Sequence, residues 1–152
     1  MPQRVTLAEL ASFAGKDLGH SEWVQIDQPR VNQFADATGD HQFIHVDPER
    51  ATPLFGGTIA HGFLTLSMSV TLLDPLLLEP EGHGSWINYG LNKVRFVAPV
   101  LTGKRVRLAV KVAEITEKRP GTWLFTYDVA LEIEGEAKPA YIAQLLLMSV
   151  AG

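Results

Sequence analysis

No cysteine occurs among the 152 residues, which excludes disulfides, zinc thiolate sites and a cysteine nucleophile. No block of lysine and arginine occurs either, and the formal net charge is −4. Both features weigh against nucleic acid as a partner. No apolar run reaches the length that spans a membrane. Met1 to Thr6 lacks the apolar core of a signal peptide. There is no internal repeat, low-complexity tract or linker. The expectation is a cytoplasmic protein without a membrane partner, folded as one domain over residues 1–152, because this length fills one core and not two. Hydrophobic residues at 46% and charged residues at 20% suit a packed globule rather than a disordered chain.

What is present divides into two halves. In the front half, Asp27 can cap a helix whose first turn holds Pro29, whose apolar face carries Val31, Phe34 and Ala35, and which Gly39 can end. A second helix is predicted from about Thr58 to Leu73, stopped by Asp74-Pro75. Its apolar residues cover more than one face, so it should be buried on most sides. The back half reads as strands. Val106, Leu108, Val110 and Val112 alternate with Arg107, Ala109 and Lys111, and a second alternating run covers Leu124 to Glu132. Pro120-Gly121 makes the turn between them. A strand is predicted over Ser85 to Phe96, and another over Tyr141 to Val150, placed centrally by its few polar residues. Long strands beside one very apolar helix predict an α+β fold, an antiparallel sheet wrapped around a long central helix.

Residues able to carry chemistry fall between 38 and 67. Asp40 and His45 lie five apart in a segment bounded by Gly39 and Pro48. A loop or single turn there can bring a carboxylate and an imidazole to one point, where they can share a water and move its protons. The same residues also admit a plainer role, with Asp40 capping a turn and His45 on the surface. His41 and His45 have the spacing of a zinc helix, but Gln42 stands where that motif places its glutamate, and no third ligand is evident. Phe55 to Phe63 contains Gly56, Gly57 and Gly62 ahead of the apolar run. Unpaired N–H groups at a helix start can receive a developing oxyanion, or the glycines can simply shape a turn and a tight contact. His61 reads as an interior histidine or a helix-terminus group.

The segment Gly39-Asp40 through Ile44-His45-Val46-Asp47-Pro48, followed by Ala51, Phe55 and Ile59-Ala60-His61-Gly62, resembles the MaoC-like hydratases, including the (R)-specific enoyl-CoA hydratases and the NodN-like proteins. The stretch from Asn88 to Val100 shares the likeness, which covers residues 20 to 150. The resemblance implies a hot-dog fold assembled as a homodimer or a higher even-numbered oligomer. It implies reversible hydration of trans-2-enoyl-CoA to (R)-3-hydroxyacyl-CoA, with one water activated by Asp40 and His45. It implies that Gly62 supplies an oxyanion N–H and that Ser67 supports the pair. No cofactor or metal is expected, and coenzyme A belongs to the substrate. Gln42-Phe43 departs from the Asn-Pro of many members, which bears on the loop and the acyl pocket. A hot-dog thioesterase and a non-catalytic acyl-thioester binding protein are the alternative readings. Arg95, Lys104 and Arg105 can meet nucleotide phosphates or serve as solvated strand-end charges.

Overall fold

The computed structural model describes residues 1–152. In chain order its elements are β1 (Gln3–Val5), α1 (Leu7–Leu10), β2 (Asp17–His20), β3 (Val24–Gln25), α2 (Gln28–Thr38), α3 (Phe43–Val46), α4 (Pro48–Phe55), α5 (Gly62–Ser67) and α6 (Ser69–Leu73). Strands β4 (Leu78–Pro80), β5 (His83–Phe96), β6 (Arg105–Arg119), β7 (Thr122–Ile133) and β8 (Tyr141–Ala151) follow. The main sheet is antiparallel in the order β2-β6-β7-β8-β5, with β3 also paired to β6, while β1 and β4 form a small parallel pair. No helix is long and apolar enough to cross a membrane.

Period-two patterning decides which face of the sheet is inward. Val106, Leu108, Val110 and Val112 of β6 are buried, as are Phe125, Tyr127, Val129 and Leu131 of β7 and Tyr141, Ala143, Leu145 and Leu147 of β8. These residues form one apolar cluster with Leu64 of α5 and Leu72 and Leu73 of α6. The sheet therefore wraps the helical segment, which is the α+β layout predicted from the strand and helix signals. Strand β8 lies between β7 and β5, interior as its composition predicts. The β6–β7 turn falls at Pro120-Gly121, where Gly121 takes a φ of +78° that suits glycine.

The front of the chain follows its capping signals closely. Asp27 accepts from the Arg30 N–H at the start of α2, and Gly39 ends that helix in the left-handed region at φ 82°. The same device repeats in α4, which the sequence reading did not resolve. Asp47 accepts from the Arg50 N–H, Pro48 occupies the first turn and Gly56 closes the helix.

The single long helix predicted over Thr58 to Leu73 is not what forms. Residues 58–60 are extended instead. Thr58 accepts from the Thr102 N–H, Ala60 donates to the Val100 carbonyl, and Ile59 bridges Leu101. Their backbone groups are paired outward before a helix could use them. Helix begins only at Gly62 and breaks at Met68 into α5 and α6. Around that break the Ser67 hydroxyl donates to the Phe63 carbonyl at 2.7 Å and the Ser69 hydroxyl to the Leu66 carbonyl at 2.6 Å. Side chains that compete for helix carbonyls loosen the ladder. The segment is also less buried than predicted, since Phe63 and Val70 are exposed.

Candidate active site

The extended stretch 58–60 is the scaffold of the site. Ile59 donates its N–H to the Ile44 carbonyl at 2.9 Å, which draws α3 against it. Gln28, the first residue of α2, donates from Nε2 to the His45 carbonyl at 2.8 Å. Thr58 Oγ1 lies 2.6 Å from Gln28 Oε1 and 2.8 Å from Thr102 Oγ1. The amide oxygen can only accept, so Thr58 donates to it and takes the Thr102 proton. Three segments are thereby tied around the one turn that carries His45.

The His45 ring is buried, and its Nδ1 sits 2.7 Å from the Ile59 carbonyl. A carbonyl only accepts, so Nδ1 holds the proton and Nε2 keeps a free lone pair when the ring is neutral. Nε2 faces Asp40 Oδ2 at 3.9 Å. That separation is too long for a direct hydrogen bond and within the span of one water bonded to both atoms. The side chains differ sharply in exposure, 8% for His45 and 52% for Asp40. Burial holds the His45 imidazole below the ordinary histidine value. That effect outweighs the Ile59 hydrogen bond and the Asp40 carboxylate, both of which favour the charged ring. A ring kept neutral with an open Nε2 can accept a proton near neutral pH.

Asp40 serves two ends at once. Its Oδ1 accepts from the Gln42 N–H at 3.3 Å, the turn-capping role the sequence allowed, while Oδ2 is left to face His45. The plainer alternative for His45, a surface position, does not hold. His41 lies outside α3 and pairs with Asp36 at 2.8 Å, so the zinc-helix spacing is not realised. Gln42 occupies the N-cap position of α3, and Phe43 packs beneath the Arg50 guanidinium, 4.2 Å from ring centroid to Cζ.

The histidine that sequence reasoning set aside, His61, is at the centre. Its ring stacks on His45 with centroids 3.8 Å apart, and its Nε2 reaches the Asp40 carbonyl at 2.9 Å. The signal available for it was its position directly before Gly62, but its neighbours come from residues 16 and 21 positions earlier in the chain. Asp40, His45 and His61 could offer a metal three ligand atoms, all within 4.8 Å of one another. The two rings are stacked, and His61 Nε2 is committed to the Asp40 carbonyl.

Gly62 opens α5, so its N–H has no acceptor within the helix. It lines a cavity of about 390 Å³ together with His45, Phe63, Phe96, Val97 and Ala98. A Cβ at Gly62 would stand 2.9 Å from the Phe96 ring. Ser67 is not brought to the pair. It lies beside a neighbouring apolar cavity of about 370 Å³, which shares the Phe63 wall. Lys104 and Arg105 pair with Glu136 and Glu134, and Arg95 donates to the Val94 carbonyl at 2.8 Å.

Residues 9–132 match the MaoC-like domain family. The chain is 49% identical over 147 residues to 3-hydroxyacyl-thioester dehydratase Z of Mycobacterium tuberculosis, an alignment covering 96% of this chain and 97% of the relative. It is 46% identical over 141 residues to nodulation protein N of Rhizobium leguminosarum bv. viciae, covering 91% and 88% of the two chains. Among solved structures it resembles the (R)-hydratase from A. caviae involved in PHA biosynthesis, with a TM-score of 0.70 and 24% identity over 88% of this chain and 94% of that one. That likeness shows a shared hot-dog fold.

The tautomer can be checked directly. In a ¹⁵N-resolved titration of the histidine rings, neutral His45 should carry its proton on Nδ1 and titrate below about 6.5. Because the folded value is the lower one, stability should decline as pH falls from about 6.5 toward it, where the unfolded chain binds more protons. A His45 midpoint above the ordinary value, or a proton on Nε2, contradicts the geometry.

Proposed function

This chain belongs to the MaoC-like dehydratase family, and on that premise we propose that it is an (R)-specific enoyl-CoA hydratase. It is a hydro-lyase; its proposed reaction is the reversible addition of water to trans-2-enoyl-CoA, giving (R)-3-hydroxyacyl-CoA. The observation that carries this reading is the 3.9 Å gap between His45 Nε2 and Asp40 Oδ2, with His45 lining an apolar cavity that also presents Gly62. The near-full-length identity to a 3-hydroxyacyl-thioester dehydratase supports it.

In this mechanism a water sits between Nε2 and Oδ2. Asp40 accepts one of its hydrogens and orients it. His45, protonated at Nδ1, takes the other proton on Nε2. The water oxygen bonds to the β carbon, the double-bond electrons move toward the thioester, and the carbonyl oxygen becomes an enolate. The Gly62 N–H donates to that oxygen as its charge grows. The proton on Nε2 then passes to the α carbon, so both parts of one water are added and His45 returns to its starting form. No metal or cofactor enters these steps, and coenzyme A travels as part of the substrate. Ser67 contributes through the acyl cavity it borders rather than by bonding to the pair.

The protein is further proposed to work as a homodimer or a higher even-numbered assembly, in the cytoplasm. Strand β5 pairs only with β8 and leaves its other edge free, and it exposes Ile87, Tyr89, Leu91 and Phe96. Phe63 and Val70 are exposed on the helical segment, and both line the cavity that β5 also borders. An open apolar strand edge is usually covered. A second copy placed there would close the cavity walls.

Incubation with crotonyl-CoA and longer 2-enoyl-CoA substrates should bleach the enoyl absorbance and yield the (R)-alcohol without releasing free thiol. Thiol release without hydration would point to the thioesterase instead, and saturable binding without turnover to a non-catalytic acyl-thioester binding protein. Asp40→Asn and His45→Gln should each lower turnover by about two to four orders of magnitude while folding is retained. Gly62→Val should lower turnover per folded molecule by at least about a hundredfold, with thermal melting recorded because the new side chain meets Phe96. Normal turnover in any of these folded variants removes that residue from the mechanism. For assembly, sedimentation at micromolar concentration should show a dimer or larger even oligomer, and a fully active monomer contradicts it.

A further inference from the structure

His61 is buried, 2% exposed, and sits between the extended stretch 58–60 and α5. Its ring makes three contacts that together fix the site. The Nε2 atom lies 2.9 Å from the Asp40 backbone carbonyl, which can only accept, so Nε2 donates. One contact is the stack on His45, 3.8 Å between centroids and 22° between planes. Phe34 of α2 packs against the ring as well, at 4.9 Å and 58°.

Besides the His61 bond, the peptide at Asp40 is held by the His41 N–H, which donates to the Gly39 carbonyl at 3.2 Å. The Asp40 N–H reaches Thr38 Oγ1 at 3.4 Å, and the Gln42 N–H reaches Oδ1 at 3.3 Å. Both are at the long end of hydrogen bonding, so the bond from His61 is the shortest tie at residue 40. The carboxylate at this residue is half exposed, and its own tie is the long bond from the Gln42 N–H to Oδ1. The Nδ1 atom of His61, by contrast, is buried without a partner. A phenyl ring would stack in the same volume and bury no orphan nitrogen, so the imidazole is explained by its Nε2 bond and not by packing alone.

We propose that His61 is a positioning residue for the hydration reaction: its bond to the Asp40 carbonyl, donated from a ring stacked on His45, holds Oδ2 one water away from Nε2. The proposal rests on the hydratase reading for its activity readout, but not for its structural one.

Two substitutions separate its two contacts. His61→Phe keeps a stacking ring and removes the donor. His61→Gln gives up the stack and returns an amide donor near the Nε2 position. His61→Phe should lower kcat by about 10- to 100-fold with KM within about threefold, and His61→Gln should recover most of that loss. In an Asp40→Asn background, where the carboxylate is already gone, His61→Phe should cost less than about threefold. A folded His61→Phe enzyme with kcat within about twofold of wild type overturns the proposal. So does an equal penalty with and without the Asp40 carboxylate, which is what a purely structural role gives.

A second readout needs no turnover. In the wild-type protein, Asp40→Asn should shift the NMR titration midpoint of His45 downward, since the carboxylate favours the charged ring. In His61→Phe the same change should shift it by less than half as much, because the carboxylate is no longer held in place. An undiminished shift overturns the positioning role even where no enoyl thioester is hydrated, an outcome that by itself removes only the hydratase reading. Should His61→Phe fail to fold, His61→Gln decides alone: the coupling between Asp40 and His45 should persist in it, and its loss contradicts the proposal.

Discussion

The hydrogen bond from His45 Nδ1 to the Ile59 carbonyl is the constraint from which the site follows. It fixes the tautomer, and with it the direction in which the imidazole can accept a proton. It requires residues 58–60 to be extended, because only then does the Ile59 carbonyl turn toward α3 while its neighbours pair with residues 100–102. That requirement delays the helix start to Gly62. An N–H without a helical acceptor consequently comes to the edge of the same cavity as His45. The proposed base and the proposed oxyanion donor are thus set by one backbone arrangement.

Burial and exposure divide the work between the two catalytic candidates. His45 is enclosed, and burial favours its neutral ring. Asp40 stands half in water, so its carboxylate is spared most of the cost of desolvation. The cost of exposure is freedom of the side chain. The tie from His61 to the Asp40 backbone, with Oδ1 engaged by Gln42, restricts that freedom. The aromatic stack of Phe34, His61 and His45 joins three elements that are far apart in sequence.

Much of this was legible in the residues. The alternating runs of β6 and β7, the Asp27 and Gly39 caps and the Pro120-Gly121 turn are local signals, and the structure follows them. The five-residue spacing of Asp40 and His45 allowed a turn that brings them together, and α3 supplies it, although spacing alone left a surface position for His45 open. What could not be read locally depended on pairing between distant segments. The apolar run after Thr58 has helical composition throughout, yet its first residues are taken by the Val100 to Thr102 strand-like segment. The resemblance put Ser67 in support of the pair, but its hydroxyl finds the Phe63 carbonyl one turn back on its own helix. His61 gave no spacing signal because its partners come from α2, α3 and the Asp40 loop.

The central claim is that Asp40 and His45 act on one water. The most direct measurement is the double-mutant cycle of Asp40→Asn and His45→Gln on hydration of crotonyl-CoA, taken with folded proteins at saturating substrate. Two groups serving a single water lose their shared function when either is removed. The double variant should therefore be no more than about tenfold slower than the slower single variant. Rate losses that multiply in the double variant would mean that the two residues act independently, and would contradict the account.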